Sequence, residues 1–219
     1  MTHTEAEKYR AAREAATLVG DGMLVGLGTG TTVAHLLPAI AERRPRDLRC
    51  VATSPATAAL AQGLGLVVEP FTGIARLDLA IDGADQVAPD GWLVKGGGGA
   101  HTREKLVAAA SDRFVVIVSA DKVVPALRPP VPLELLAFGL DATLRALGRA
   151  RLRDVPRSPD GGVIADLDVP VDDPAAMAAT LEAIPGVVGH GLFAPDLVSD
   201  VLIASGETVE HRRIRHARH

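Results

Sequence analysis

Apolar positions in this chain recur in two rhythms, and their alternation sketches the architecture. Short apolar runs at residues 23–27, 48–53, 66–68, 77–81 and 114–118 are consistent with buried parallel strands. Between them lie stretches with helical spacing, at residues 4–19, 33–43, 54–62 and 102–111. The first opens on Thr4-Glu-Ala-Glu7, a capping-box pattern, and closes on Gly20 and Gly22. Ser54-Pro55 reads as an N-cap with proline at the first helical position. Strands and helices in alternation predict an α/β fold, a doubly wound, mostly parallel Rossmann-like sheet.

The rhythm changes at Arg128-Pro-Pro-Val-Pro132, which reads as a linker. Beyond it, strands are expected at residues 133–136, 150–155, 163–169 and 187–193, with a turn at Pro159-Asp-Gly-Gly162. Helices are expected at 141–147 and 174–183, the second capped by Asp172 or Asp173. That β-α-β-β-α-β order predicts a smaller ferredoxin-like α+β domain, whose acids and arginines read as surface. Residues 198–204 and 209–214, joined by Ser205-Gly-Glu207, read as a hairpin that rejoins the first sheet. The expected division is 1–129 with 198–219 as one domain and 130–197 as an insertion.

Two loops carry the chemistry. Gly28-Thr-Gly-Thr-Thr32 lies between a strand and a helix, where loop N–H groups, threonine hydroxyls and the helix N-terminus can cradle a phosphate. Gly26-x-Gly28-x-x-Thr31 nearly matches a dinucleotide fingerprint. Its third position is threonine, however, and no acid ends the next strand, so a monophosphate fits better. The second stretch runs from Asp82 to Lys105. Asp82-Gly-Ala-Asp85 follows a strand, Lys95 and four glycines follow Trp92-Leu-Val94, and Thr102-Arg-Glu-Lys105 opens a helix. Four glycines in a row add no packing and cost chain entropy, which makes sense where backbone N–H groups must approach a small anion. Taken singly, Asp82 reads as a turn cap, Lys95 as a surface lysine and Glu104 as a salt-bridged first-turn glutamate; their coincidence is the signal. These loops, with Ser119-Ala-Asp-Lys122, all follow strands, so one crevice beyond the carboxyl ends of the sheet can collect them.

Composition narrows the classes. With 47% hydrophobic and only 3% aromatic residues, the core must be built mainly from Ala, Val and Leu. A net charge of −4 gives no pull toward nucleic acid or acidic membranes. The basic tail from His211 to His219 reads as a solvated terminus. A single cysteine, Cys50, excludes an internal disulfide, fits a cytoplasmic protein and reads as a buried strand thiol. No secretory leader and no membrane span are expected.

Asp82-Gly-Ala-Asp85, Lys95-Gly-Gly-Gly98 and Thr102-Arg-Glu-Lys105, in this order and spacing, resemble the A-type ribose-5-phosphate isomerase family. The resemblance extends to Gly26-Leu-Gly-Thr-Gly-Thr-Thr32 and to Ala183-Ile-Pro-Gly-Val-Val188 ahead of Gly191-Leu-Phe193. It implies cofactor-free interconversion of ribose 5-phosphate and ribulose 5-phosphate, no metal, and a homodimer or homotetramer. Such chemistry needs a base for a carbon-bound proton, a holder for the enediolate charge, groups that move protons between oxygens, and a phosphate anchor. The matching positions make Glu104 the base, with Asp82, Asp85 and Lys95 lining the sugar. Thr29, Gly30, Thr31 and Thr32 would hold substrate, with the phosphate on Thr31 and Thr32. Gly83, Ala84, Gly96, Gly97, Gly98, Lys122 and Lys8 complete the expected contacts.

His101, Gly99 and Ala137 depart from the family pattern, though none removes a group the chemistry needs. Two rivals belong to other classes. A sugar-phosphate sensor would usually carry a helix-turn-helix, whereas one helix precedes the first strand here. An acyl-CoA transferase would need Glu104 as a covalent nucleophile.

Overall fold

The computed structural model describes residues 2–214. The chain opens with α1 (His3–Ala16), β1 (Leu24–Leu27), α2 (Thr31–Arg43), β2 (Arg49–Ala52), α3 (Pro55–Gly63) and a short β3 (Val67–Val68). Next come β4 (Leu79–Asp82), β5 (Gln86–Val87), β6 (Leu93–Val94), α4 (His101–Ala109) and β7 (Phe114–Ser119). The third stretch holds β8 (Val131–Leu135), α5 (Leu140–Leu147), β9 (Ala150–Leu152), β10 (Val163–Leu167), α6 (Pro174–Glu182) and β11 (Val187–His190). β12 (Leu192–Phe193), β13 (Asp200–Ser205) and β14 (Thr208–Arg213) follow.

Seven strands form the main sheet in the order β14-β13-β7-β4-β1-β2-β3, parallel except for β14. The chain winds outward from β1 through β2 to β3, then returns to place β4 on the other side of β1. Strand order therefore reverses between β1 and β4, where doubly wound sheets open a ligand crevice. On one face the small residues Ala11, Ala12, Ala15 and Ala16 bring α1 close to Leu27, Ile81 and Ile117. On the other, α4 lies against β1 at Gly26, where a Cβ would come 2.3 Å from Val107. Phe114 and Phe193 fill the space beside it, ring centroids 6.5 Å apart.

The smaller sheet is antiparallel with order β11-β8-β10-β9, the ferredoxin-like arrangement, packed on Leu181 of α6. A third sheet, β12-β6-β5, joins the two.

Several element boundaries differ from the sequence reading, each for a physical reason. The cap of α1 is Thr2, whose hydroxyl accepts from Glu5 N–H, not Thr4; Glu7 instead turns inward and accepts from Gly206 N–H at 2.9 Å. Ser54 and Asp173 cap their helices. The proline-rich linker already contains strand, since β8 starts at Val131 and Pro132 pairs opposite Asp166. The single strand expected at 187–193 is broken at Gly191, where the chain passes from the smaller sheet to the third. Gly191 N–H donates to Pro132 and its carbonyl accepts from Lys95 N–H; a Cβ there would stand 2.2 Å from Lys95 O. Of the basic tail, His211, Arg212 and Arg213 lie in β14, with His211 paired to Asp200 at 2.7 Å. The remainder of that tail, 215–219, lies outside the described residues.

Candidate active site

The loops after β1, β4 and β6 meet beside the switch point. Gly28 cannot carry a side chain, because a Cβ would lie 1.9 Å from Asp82 Oδ1. That closeness lets Thr29 N–H donate to Asp82 Oδ1 at 3.1 Å, while the Thr29 and Thr53 hydroxyls share a 2.7 Å bond. Gly30, with φ of 112°, turns the chain into α2 and supplies no side-chain cap. The first N–H groups of α2 therefore stay available to an anion.

Beside them opens a cleft of about 150 Å³. Thr29, Gly30, Thr31 and Thr32 come from the first loop, and Gly83, Ala84 and Asp85 from the loop after β4. Lys95, Gly96, Gly97, Gly98 and Glu104 form the opposite wall. Lys8 reaches in from α1, tied to Glu5 at 2.7 Å, and Lys122 from the turn after β7. Of the residues singled out in the sequence, Asp82 lies apart: it is buried beneath the cleft and does not border it.

Beneath the wall, Lys95 Nζ stands 2.9 Å from Asp82 Oδ2 and 3.0 Å from Glu104 Oε2, and it donates to the Gly83 carbonyl. All three charged side chains are at most 5% exposed. Asp82 Oδ1 also accepts from Gly83 N–H at 2.7 Å. Asp82 thus has partners on both oxygens, whereas Glu104 has Lys95 alone on Oε2. Burial acts against every charge in the set. It drives the Glu104 carboxyl up, Asp82 adds repulsion, and Lys95 only partly offsets them, leaving Glu104 at about 8. Burial raises Asp82 as well, against the pull of Lys95 and of the Thr29 and Gly83 N–H groups. For Lys95 burial opposes the ammonium, but the two carboxylates outweigh it and hold the charge firmly. A buried ammonium beside a carboxyl that titrates near neutrality is a proton-transfer arrangement.

The glycine loop is fixed from below. Asp85 Oδ2 accepts from Gly97 N–H at 2.7 Å, and a Cβ on Gly97 would press within 2.7 Å of the same carboxylate. His101 does not border the cleft. It is fully buried under Gly96, and burial holds its imidazole down to about 3, so it is neutral and unfit as a second acid. Burial likewise pushes the Cys50 thiol on β2 up to about 12.

Sequence reasoning missed two contributors. Lys95 and Lys105 each lie over the Phe193 ring, 5.4 and 5.1 Å from its centroid, so this aromatic contacts two cations. Arg153, read as surface, reaches from the end of β9 to the Gly96 and Gly97 carbonyls. Phe193 ends a motif of the resemblance, but no local pattern gave either residue these contacts, because their partners lie across the boundary between sheets. A larger groove of about 700 Å³, between α3 and α4, has only the exposed Arg103–Asp160 pair and Glu134 as nearby charges besides Glu69.

Residues 49–208 match the family model for ribose 5-phosphate isomerase A (phosphoriboisomerase A). The ribose-5-phosphate isomerase A of Caulobacter vibrioides is 44% identical over 218 residues, covering 93% of this chain and 96% of that protein. The crystal structure of ribose 5 phosphate isomerase A from Neisseria gonorrhoeae superposes with a TM-score of 0.93 at 29% identity, covering 99% of this chain and all of that one. A D-ribose-5-phosphate isomerase in complex with phospho-erythronic acid gives a TM-score of 0.90 at 32% identity over 97% of this chain and 100% of its own. Similarity of this extent, in sequence and in fold, places the chain in the ribose 5-phosphate isomerase A family.

Proposed function

We propose that this protein interconverts ribose 5-phosphate and ribulose 5-phosphate through an enediolate. One observation carries the chemistry: the buried Glu104–Lys95–Asp82 set stands in the wall of a cleft whose far side is a helix N-terminus flanked by lysines. The substrate phosphate rests on the Thr31 and Thr32 end of α2, with Lys8 and Lys122 nearby. Glu104 takes the C2 proton of the open-chain aldose, and the C–H electron pair becomes the C1–C2 double bond as O1 gains the charge. The negative charge thus moves from Glu104 to the sugar while Lys95 stays beside both, so no solvent has to reorganise. Asp85, exposed at the cleft, holds sugar hydroxyls and carries the proton from O2 to O1. Glu104 then returns its proton to C1, leaving the carbonyl at C2. Asp82 serves this scheme from below, anchoring Lys95 and raising Glu104.

A sensor would gain nothing from a carboxyl held near neutrality against a buried ammonium, which favours catalysis. No resident cofactor enters the scheme, since Lys95 supplies the positive charge. We further take residues 1–129 with 198–219 as the catalytic unit and 130–197 as an insertion; β8 to β11 bond among themselves, while β13 returns to β7. A cytoplasmic setting agrees with the single buried free thiol. A homodimer or homotetramer agrees with large exposed apolar side chains such as Phe138, 87% exposed. Incubating the purified protein with ribose 5-phosphate tests the reading: ribulose 5-phosphate should accumulate to equilibrium, and its absence would overturn the assignment.

A further inference from the structure

The cleft borders no residue of the smaller sheet, yet that sheet grips the glycine loop from behind. Arg153 follows the edge strand β9, and its side chain is 17% exposed. Its Nε and Nη2 fork onto the Asp166 carboxylate of β10 at 2.7 and 2.6 Å. This leaves Nη1 to donate to Gly96 O at 2.8 Å and Gly97 O at 3.0 Å.

Those two carbonyls belong to the peptide units whose N–H groups are Gly97 and Gly98. In a planar trans peptide the C=O and N–H point in opposite directions. Holding both carbonyls toward Arg153 therefore turns both N–H groups away from it. One meets Asp85 Oδ2. The other, on Gly98, has no hydrogen-bond partner among the described residues and sits in the cleft wall. A glycine run has little intrinsic preference for either peptide orientation, and Gly96 and Gly99 already take φ of 102° and 73°. A cation on the carbonyl side also polarises each peptide and strengthens its N–H as a donor.

We propose that Arg153, locked by Asp166, is a positioning residue for the reaction: it holds the Gly97 amide on Asp85 and fixes and polarises the Gly98 amide so that it faces charge developing on a substrate oxygen. The inserted sheet thereby contributes to turnover without touching substrate. This inference rests on the isomerase reading for its effect on rate, but its structural core does not.

The test compares wild type with Arg153→Lys, Arg153→Met and Asp166→Asn, using 15N-glycine labelling and steady-state kinetics with ribose 5-phosphate. A lysine cannot hold the fork and both carbonyls at once. The Gly97 amide, held on Asp85, should exchange with solvent about tenfold faster or more in both Arg153 variants, and the 15N–1H resonance of the unbonded Gly98 amide should shift. In the same proteins kcat should fall about tenfold or more, with KM changed far less, as expected for a lost transition-state donor. Asp166→Asn should shift both readouts in the same direction, less far. A purely structural arginine would lower the melting temperature and leave kcat of the folded protein alone. Folded variants with wild-type Gly97 exchange and an unshifted Gly98 resonance, or with a loosened Gly97 amide and an unchanged kcat, would overturn the proposal. If Arg153→Met fails to fold, Arg153→Lys decides. A wild type that does not isomerise ribose 5-phosphate would sink the functional reading, while amide exchange would still judge the clamp.

Discussion

At the scale of single residues, the site depends on how one proton is shared within a buried set of two acids and a lysine. Glu104 sits at about 8 because burial and Asp82 together outweigh Lys95. A base works only when deprotonated, so kcat/KM should rise with pH and level off above about 8. A profile already flat from pH 6 upward would contradict that placement. The same shift bears on stability. The folded state holds the Glu104 proton more tightly than the unfolded chain does, whose carboxyl titrates near 4.5. The associated stability is complete below 4.5 and is lost as pH rises through about 8. Glu104→Gln carries no such penalty, so its melting temperature relative to wild type should climb between pH 5 and 8.5; a pH-independent difference would refute the sign. The sequence singled out Glu104 as the candidate base but not its shift. Helix position alone favours the ionised form, and the opposition comes from burial under distant elements and then from Asp82.

At the scale of elements, the open N-terminus of α2 is the proposed phosphate anchor. Replacing Thr31 and Thr32 together by valine keeps the branched shape and removes two hydroxyls. Each hydrogen bond to a charged acceptor is worth about 1.5–3 kcal/mol, so KM for ribose 5-phosphate should rise by about one order of magnitude or more. An unchanged KM would place the phosphate elsewhere. The element before α2 makes a different demand. Gly28→Ala forces a methyl group into the Asp82 carboxylate, and overpacking of that kind costs about 1–3 kcal/mol. Thermal melting should register the loss, and kcat should fall with it because Asp82 anchors Lys95. Both loops were legible in the sequence, since glycine-rich turns between apolar strands and helices are local signals. The break at Gly191 was not. It comes from a backbone crossing, Lys95 O against Gly191, between segments far apart in the chain. The same holds for Arg153, whose partners belong to a loop some 57 residues away.

At the scale of the molecule, strand alternation identified the doubly wound sheet and the ferredoxin-like unit, because each apolar run buries one set of side chains. The join between them was less visible: it is a small third sheet of two-residue strands, too short to leave a pattern. In the proposed scheme positive charge comes from Lys95 of the chain itself. Among the described residues no group of three His, Cys, Asp or Glu side chains is placed to hold a metal. Activity should therefore survive EDTA, and loss restored by a divalent ion would count against Lys95 as the electrophile.

The central claim is that Glu104 moves a carbon-bound proton, and exchange of the substrate C2 hydrogen in D₂O tests it most directly. Wild type should wash deuterium into ribose 5-phosphate while forming ribulose 5-phosphate, followed by NMR. Glu104→Gln keeps the size of the side chain but cannot accept the proton, which should cost about 10²–10⁴-fold in kcat. Exchange and turnover should vanish together in a protein that still folds and binds substrate. A Glu104→Gln enzyme that retains either exchange or turnover near the wild-type rate would contradict the account.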